Sequence, residues 1–206
     1  MARYVWMTWR YLTQMLPGAL AALALYGSLY PWRRRKLRAA GLASSRPREC
    51  LLALFWMFSG GMAVLTLCPQ PEWLWAGLQG YWAPYFGGWA LPLAHRVNLL
   101  PFSQGDSLLN LLGNVVMFLP FGFSLPLLWR GWHWRRTLLL GLAATGGIES
   151  WQLLIGRYFD ADDILLNTLG VLCGFLLWKE LDHWLPQGLR QLRCKPGKAR
   201  VRAWQE

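Results

Sequence analysis

The sequence predicts an all-α, polytopic membrane helix bundle of about five transmembrane helices, with the N-terminus outside and the C-terminus cytoplasmic. Three observations predict it. Of the 206 residues 55% are apolar and only 15% charged, against about 25% charged in a soluble domain. The apolar residues fall into five blocks, approximately 11–32, 50–68, 108–129, 137–155 and 163–181, each near the roughly 20 residues that span about 30 Å of hydrocarbon. The basic residues fall between alternate blocks.

The first block follows Arg3 and Arg10 and leads directly into RRRK at residues 33–36. It is too long for a signal peptide and lacks a convincing cleavage site, so it is read as a retained helix. With the N-terminus outside, the three inward segments carry seven, three and seven of the 21 Lys and Arg. That bias orients the bundle. The net charge of +11 is thus a topology signal and an attraction to anionic lipid. It excludes nucleic acid as a partner, because the basic residues sit at helix ends and not along one soluble face. Membrane lipids are the expected surroundings, and nothing specifies an oligomeric state.

Three regions follow. Residues 1–49 form an N-terminal transmembrane helix with a basic cytoplasmic loop, residues 50–181 a four-helix core, and residues 182–206 a basic cytoplasmic tail expected to lack regular order. Within the core, an outer loop over 69–107 holds Trp73, Trp75, Tyr81, Trp82, Tyr85, Phe86 and Trp89, rings that suit the headgroup layer. It reads as an interfacial or re-entrant segment, or as a loop anchored on the surface. Cys50, Cys68, Cys173 and Cys194 and the three scattered histidines show no metal-ligand or disulfide spacing.

Candidate chemistry lies in and around the third, fourth and fifth blocks. Glu149 stands roughly 9 Å below the outer end of its helix at 1.5 Å per residue, with Thr145 one turn before it and Gln152 after it. A carboxylate there needs a cation, hydrogen bonds or water, so Glu149 either ties helices together or lines a substrate or proton site. In the third block Asn110 and Asn114 are one turn apart, and Pro120 should bend the helix. Buried Asn in a membrane bundle more often joins helices than binds a ligand. In the fifth block Asp163, Asn167, Gly170 and Gly174 share a face, and the GxxxG pair suits close helix contact.

The segment RYFDADD at residues 157–163 adds Arg157, Asp160, Asp162 and Asp163. One or two of its acids serve as a helix N-cap; a third, with Glu149 nearby, exceeds that need. Arg96 to Phe102 and Asp106 complete the expected rim, with Arg96 and Arg157 suited to pairing with carboxylates or clamping a phosphate. The whole describes a polar pocket opening outward. No cofactor is evident, and the metal content is unknown; oxygen donors of this kind would suit Mg²⁺ or Ca²⁺.

The motifs NLLPF at residues 98–102, NLLGNVVMFLPFGF at 110–123, IESWQLL at 148–154 and RYFDADDILLNTLGVLCGF at 157–175 together resemble the VanZ family, whose namesake is associated with teicoplanin resistance. The resemblance covers about residues 50–181. The family's ExxQ falls on Glu149 and Gln152, its R-x-x-D-x-x-D on Arg157, Asp160 and Asp163, its NT-G on Asn167, Thr168 and Gly170, and its N-x-x-x-N on Asn110 and Asn114. Val171 stands where a second glycine is frequent. The resemblance implies a multi-pass protein of the bacterial cytoplasmic membrane and cell envelope, without a defined mechanism.

The expected function is recognition or modification of an envelope lipid, lipid-linked glycan or amphipathic glycopeptide in an outer-leaflet pocket, with glycopeptide resistance one such role. Were it catalytic, Glu149 or Asp160 would act as general acid or base, Asp162 and Asp163 would position a cation or water, and Arg157 would stabilise developing charge. Asn98, Asn110, Asn114, Gln152, Asp162 and Asn167 would bind substrate. A proton-coupled transporter titrating Glu149 and a non-catalytic structural or partner protein are the alternatives.

Overall fold

A computed structural model describes residues 2–68, 95–103, 108–129 and 131–196. The aromatic loop, Asp106 and the end of the tail lie outside the described residues. Its elements are α1 (Ala2–Ala39), β1 (Leu42–Ala43), α2 (Arg46–Leu67), β2 (Val97–Asn98), α3 (Leu108–Leu128), α4 (Trp134–Leu154), β3 (Phe159–Asp160), α5 (Ala161–Trp184), α6 (Pro186–Arg190) and β4 (Lys195–Pro196). The chain is an all-α bundle, its two-residue strands forming only an antiparallel β1–β4 bridge and a parallel β2–β3 bridge.

Among the described residues four stretches are long and apolar enough to cross a membrane: Tyr11–Ala39 of α1, α2, Leu111–Leu128 of α3, and α5. Among the described residues α4, the expected fifth crossing, is not one of them. Its 21 residues give about 30 Å of length, but Arg135, Arg136, Glu149, Gln152 and several small residues dilute its apolar character. Arg135 and Arg136 stay exposed, while Thr137, Gly141, Thr145, Glu149 and Gln152 form its buried stripe, at helical spacing.

Two helix pairs organise the bundle, α1 with α2 and α3 with α5. Small residues set both. An added Cβ on Gly18 would strike the Gly60 carbonyl, and one on Gly60 the Gly18 carbonyl. Between α3 and α5, Gly122 faces the Val171 carbonyl, Gly170 the Val115 carbonyl and Gly174 the Leu119 carbonyl. The GxxxG expectation holds, and Gly122 supplies the reciprocal notch. Val171, at the position of a frequent glycine, is only 2% exposed and packs with Met62 and Phe118 in the core. α3 runs through both Pro120 and Pro126 as one element.

At one end the Tyr26 hydroxyl donates to Glu49 Oε2 (2.6 Å) and Arg33 pairs with the same carboxylate. The buried Arg48 donates to Ser44 Oγ and to the Leu128 carbonyl, both at 3.1 Å, joining α2 to the last turn of α3. The β1–β4 bridge brings the α1–α2 connection to the chain beyond α5. The basic segments near residues 33–48 and 190–195 therefore meet at the same end, as their assignment to one side requires. The start of the tail is ordered by α6 and by an Arg193–Asp182 ion pair of 2.9 Å, contrary to the expectation of irregular chain.

Candidate functional site

The opposite end is built where α4 stops and α5 begins. The Gln152 and Leu153 carbonyls accept from the Arg157 and Gly156 amides (2.8 and 3.3 Å), closing α4. Gly156 adopts φ +83°, a left-handed conformation open to glycine without a Cβ penalty. The chain then runs beside residues 97–98, Val97 opposite Phe159 and Asn98 opposite Asp160, with the Phe159 amide donating to the Arg96 carbonyl at 2.8 Å. Asp160 caps α5 by accepting from the Asp162 amide at 2.9 Å. The predicted capping role is met by this residue.

Around that cap the carboxylates are held mostly by neutral donors. Glu149 Oε2 accepts from the Asp160 amide at 3.0 Å. Asp160 Oδ1 also accepts from Asn98 Nδ2 at 3.2 Å. Both Asp162 oxygens accept from the Phe102 amide at 2.9 Å, and Asn114 Nδ2 donates to Asp163. Asn98 Oδ1 in turn accepts from the Leu100 amide and the Ser103 hydroxyl (3.3 and 3.1 Å), an Asx turn ahead of Pro101. Gln152 Nε2 donates to the Thr66 carbonyl (3.2 Å) and Trp151 Nε1 to the Leu67 carbonyl (2.8 Å), fixing α4 to the end of α2.

Glu149 and Asp162 are each 1% exposed, while Gln152 and Asn167 are also buried. Asn167 Oδ1 and Thr168 Oγ1 are enclosed without a hydrogen-bond partner, an uncommon state for buried polar atoms. Among the described residues no carboxylate lies within ion-pair distance of the Arg157 guanidinium. Arg96, expected to meet a carboxylate or phosphate, instead donates to the Leu153 carbonyl at 3.0 Å, serving the end of α4. A carboxyl cluster bound by amides retains unused acceptor lone pairs.

A family model described as VanZ/LLP1 matches residues 50–184. The chain belongs to the VanZ family. The match takes in nearly all of α2 and runs through α5 of this VanZ-family chain, and leaves the whole of α1 outside. No curated protein and no solved structure matches the chain.

The VanZ-family fold links Glu149, Asp160, Asp162 and Asn98 through hydrogen bonds and pairs Asn114 with Asp163 next to Asp162, six of the ten predicted site residues. Gln152 adjoins Glu149 but bonds to α2. Asn167 lies one turn beyond Asp163, and Arg157 stands at the turn between α4 and β3. Asn110 is in the first turn of α3, its side chain outside the described residues. Among the described residues no three His, Cys, Asp or Glu side chains are arranged to hold a metal ion. Sequence reasoning missed the Phe102 amide and the Ser103 hydroxyl. An Asn three residues before Pro is a turn signal that could have located both.

Proposed function

We propose that the α3–α5 polar end of this membrane protein binds the polar part of an amphipathic envelope molecule, a lipid, lipid-linked glycan or glycopeptide, at the outer leaflet of the bacterial cytoplasmic membrane. The observation carrying the proposal is Glu149, buried in the helix bundle with one described hydrogen bond, beside an Arg157 that pairs with no described carboxylate. A carboxylate kept only for assembly would be matched by a cation or by enough donors to offset a desolvation cost of several kcal/mol. Here acceptor capacity on Glu149 and a guanidinium on Arg157 remain for hydroxyl, amine and phosphate groups of a ligand. This reading commits to recognition; Glu149 as general acid or base is the catalytic extension of it.

Purified wild-type, Glu149→Gln and Arg157→Gln proteins, matched for folding by thermal melt, are to be compared for co-purifying envelope lipids by mass spectrometry. The expected result is a lipid class enriched with the wild type and lost from both variants. Identical lipid profiles from three equally folded proteins would remove the proposal. A glycopeptide role predicts that deletion lowers the teicoplanin concentration that arrests growth and that Arg157→Gln fails to restore it. Unchanged susceptibility would detach this chain from that role.

A further inference from the structure

Next to the polar cluster lies a cavity of about 400 Å³ among α2, α3, α4 and one residue of α5, lined by residues including Phe55, Ala63, Phe121, Ala144, Ile148 and Val171. That volume falls in the roughly 300–1,000 Å³ range of small-molecule sites. Its position is defined by two junctions. Thr66 and Leu67 line it, and their carbonyls receive the Gln152 and Trp151 side chains; Ile148 lines it and immediately precedes Glu149. The cavity thus adjoins the polar cluster on α4, and none of the ten predicted site residues lines it.

The chemistry of the walls selects the occupant. The two hydroxyl-bearing residues in the lining are committed to their own helix: Ser59 Oγ donates to the Phe55 carbonyl at 2.7 Å and Thr66 Oγ1 to the Met62 carbonyl at 2.9 Å. Water in a cavity needs two to four polar partners, which these walls do not offer. An empty apolar void forfeits the dispersion contacts of every lining atom. Of the helices that line it, α2, α3 and α5 are apolar enough to cross a membrane, where hydrocarbon chains are the surrounding solvent.

We infer that this cavity is the tail subsite of the same ligand and receives one acyl chain of a bilayer lipid whose polar part lies against Glu149 and Arg157. The inference rests on the proposed function for the headgroup alone; the cavity's preference for hydrocarbon stands on its walls.

The test uses full-length protein in nanodiscs containing phosphatidylglycerol with a diazirine on one acyl chain. After illumination, labelled residues are mapped by peptide mass spectrometry. Labelling is expected to concentrate on Phe55, Ala63, Ala144 and Ile148 and to exceed that on the outward-facing Leu139 and Leu142. Ala63→Phe, which fills the cavity, should reduce cavity labelling about tenfold, a loss equivalent to roughly 1.4 kcal/mol. Should Ala63→Phe fail to fold, Ser59→Leu fills less space and should reduce labelling in the same direction. Labelling spread evenly over lipid-facing residues, or unchanged in a folded filling variant, overturns the inference. Arg157→Gln separates the two claims: retained cavity labelling with loss of the enriched co-purifying lipid supports both, whereas retained labelling with the co-purifying lipids also unchanged removes the headgroup reading and leaves the tail subsite standing.

Discussion

The two ends of the bundle handle charge in opposite ways. At the basic end Glu49 meets Arg33 directly and has Arg48 3.8 Å away, so each charge faces its opposite across α1 and α2. At the other end four acidic side chains gather at the α4–α5 junction and accept from backbone and Asn donors, while Arg157 stays out of ion-pair range of every described carboxylate. Paired charge assembles helices. Acids held by neutral donors are positioned with acceptor sites unused, and those sites are what a ligand can use.

Removing half of the basic-end pair should have the largest structural effect. Glu49→Ala leaves two arginines without their carboxylate and should lower stability by about 2 kcal/mol, discounted from the roughly 3–5 kcal/mol of a fully buried pair because both side chains retain some exposure. Denaturation of the detergent-purified protein measures it, and Arg33→Met with Glu49→Met should recover most of the loss. Recovery absent from the double variant would mean that the pair does more than balance charge.

Asn114→Leu removes a donor to the half-buried Asp163 and should cost about 1 kcal/mol by the same measurement, the net worth of one hydrogen bond. Glu149→Gln and Asp160→Asn should cost under about 1 kcal/mol each, since an amide oxygen can still accept the backbone N–H, yet both should abolish lipid co-purification. If either unfolds the protein as severely as Glu49→Ala, the contrast between the ends disappears and the polar cluster becomes a second assembly device.

The smallest effect belongs to Phe102, which holds φ +59° while its amide serves Asp162. Phe102→Gly relieves the backbone strain but adds chain entropy on unfolding. The net change should stay within about 0.5 kcal/mol, near 2 °C in melting temperature for a chain of this size. A larger fall would show that the exposed ring itself contributes contacts.

How much of this was legible in the sequence depended on the distance along the chain over which each contact acts. Capping of α5 by Asp160 and the glycine face of α5 were readable because their signals lie within a few residues. The bonds of Asn98 to Asp160 and of Phe102 to Asp162 join residues about sixty apart, and only the path of an intervening loop decides them. Glu149 was expected to need a cation, hydrogen bonds or water; its partner is the Asp160 backbone amide, which carries no residue-type signature. The Gly18–Gly60 contact was missed because neither helix alone reveals its mate. Arg48 was counted only as a topology charge, whereas its burial comes from the last carbonyls of α3.

The three glycine notches between α3 and α5 carry a consequence for access. Each sets backbone against backbone, so no side-chain rotation can open a passage there without separating the helices themselves. α2 and α4 instead face one another across the apolar cavity and are joined by the Gln152 and Trp151 side chains, which donate to the Thr66 and Leu67 carbonyls. The bundle therefore has a spine, the α3–α5 pair, and a seam between α2 and α4 that is held by side chains and not by backbone contact.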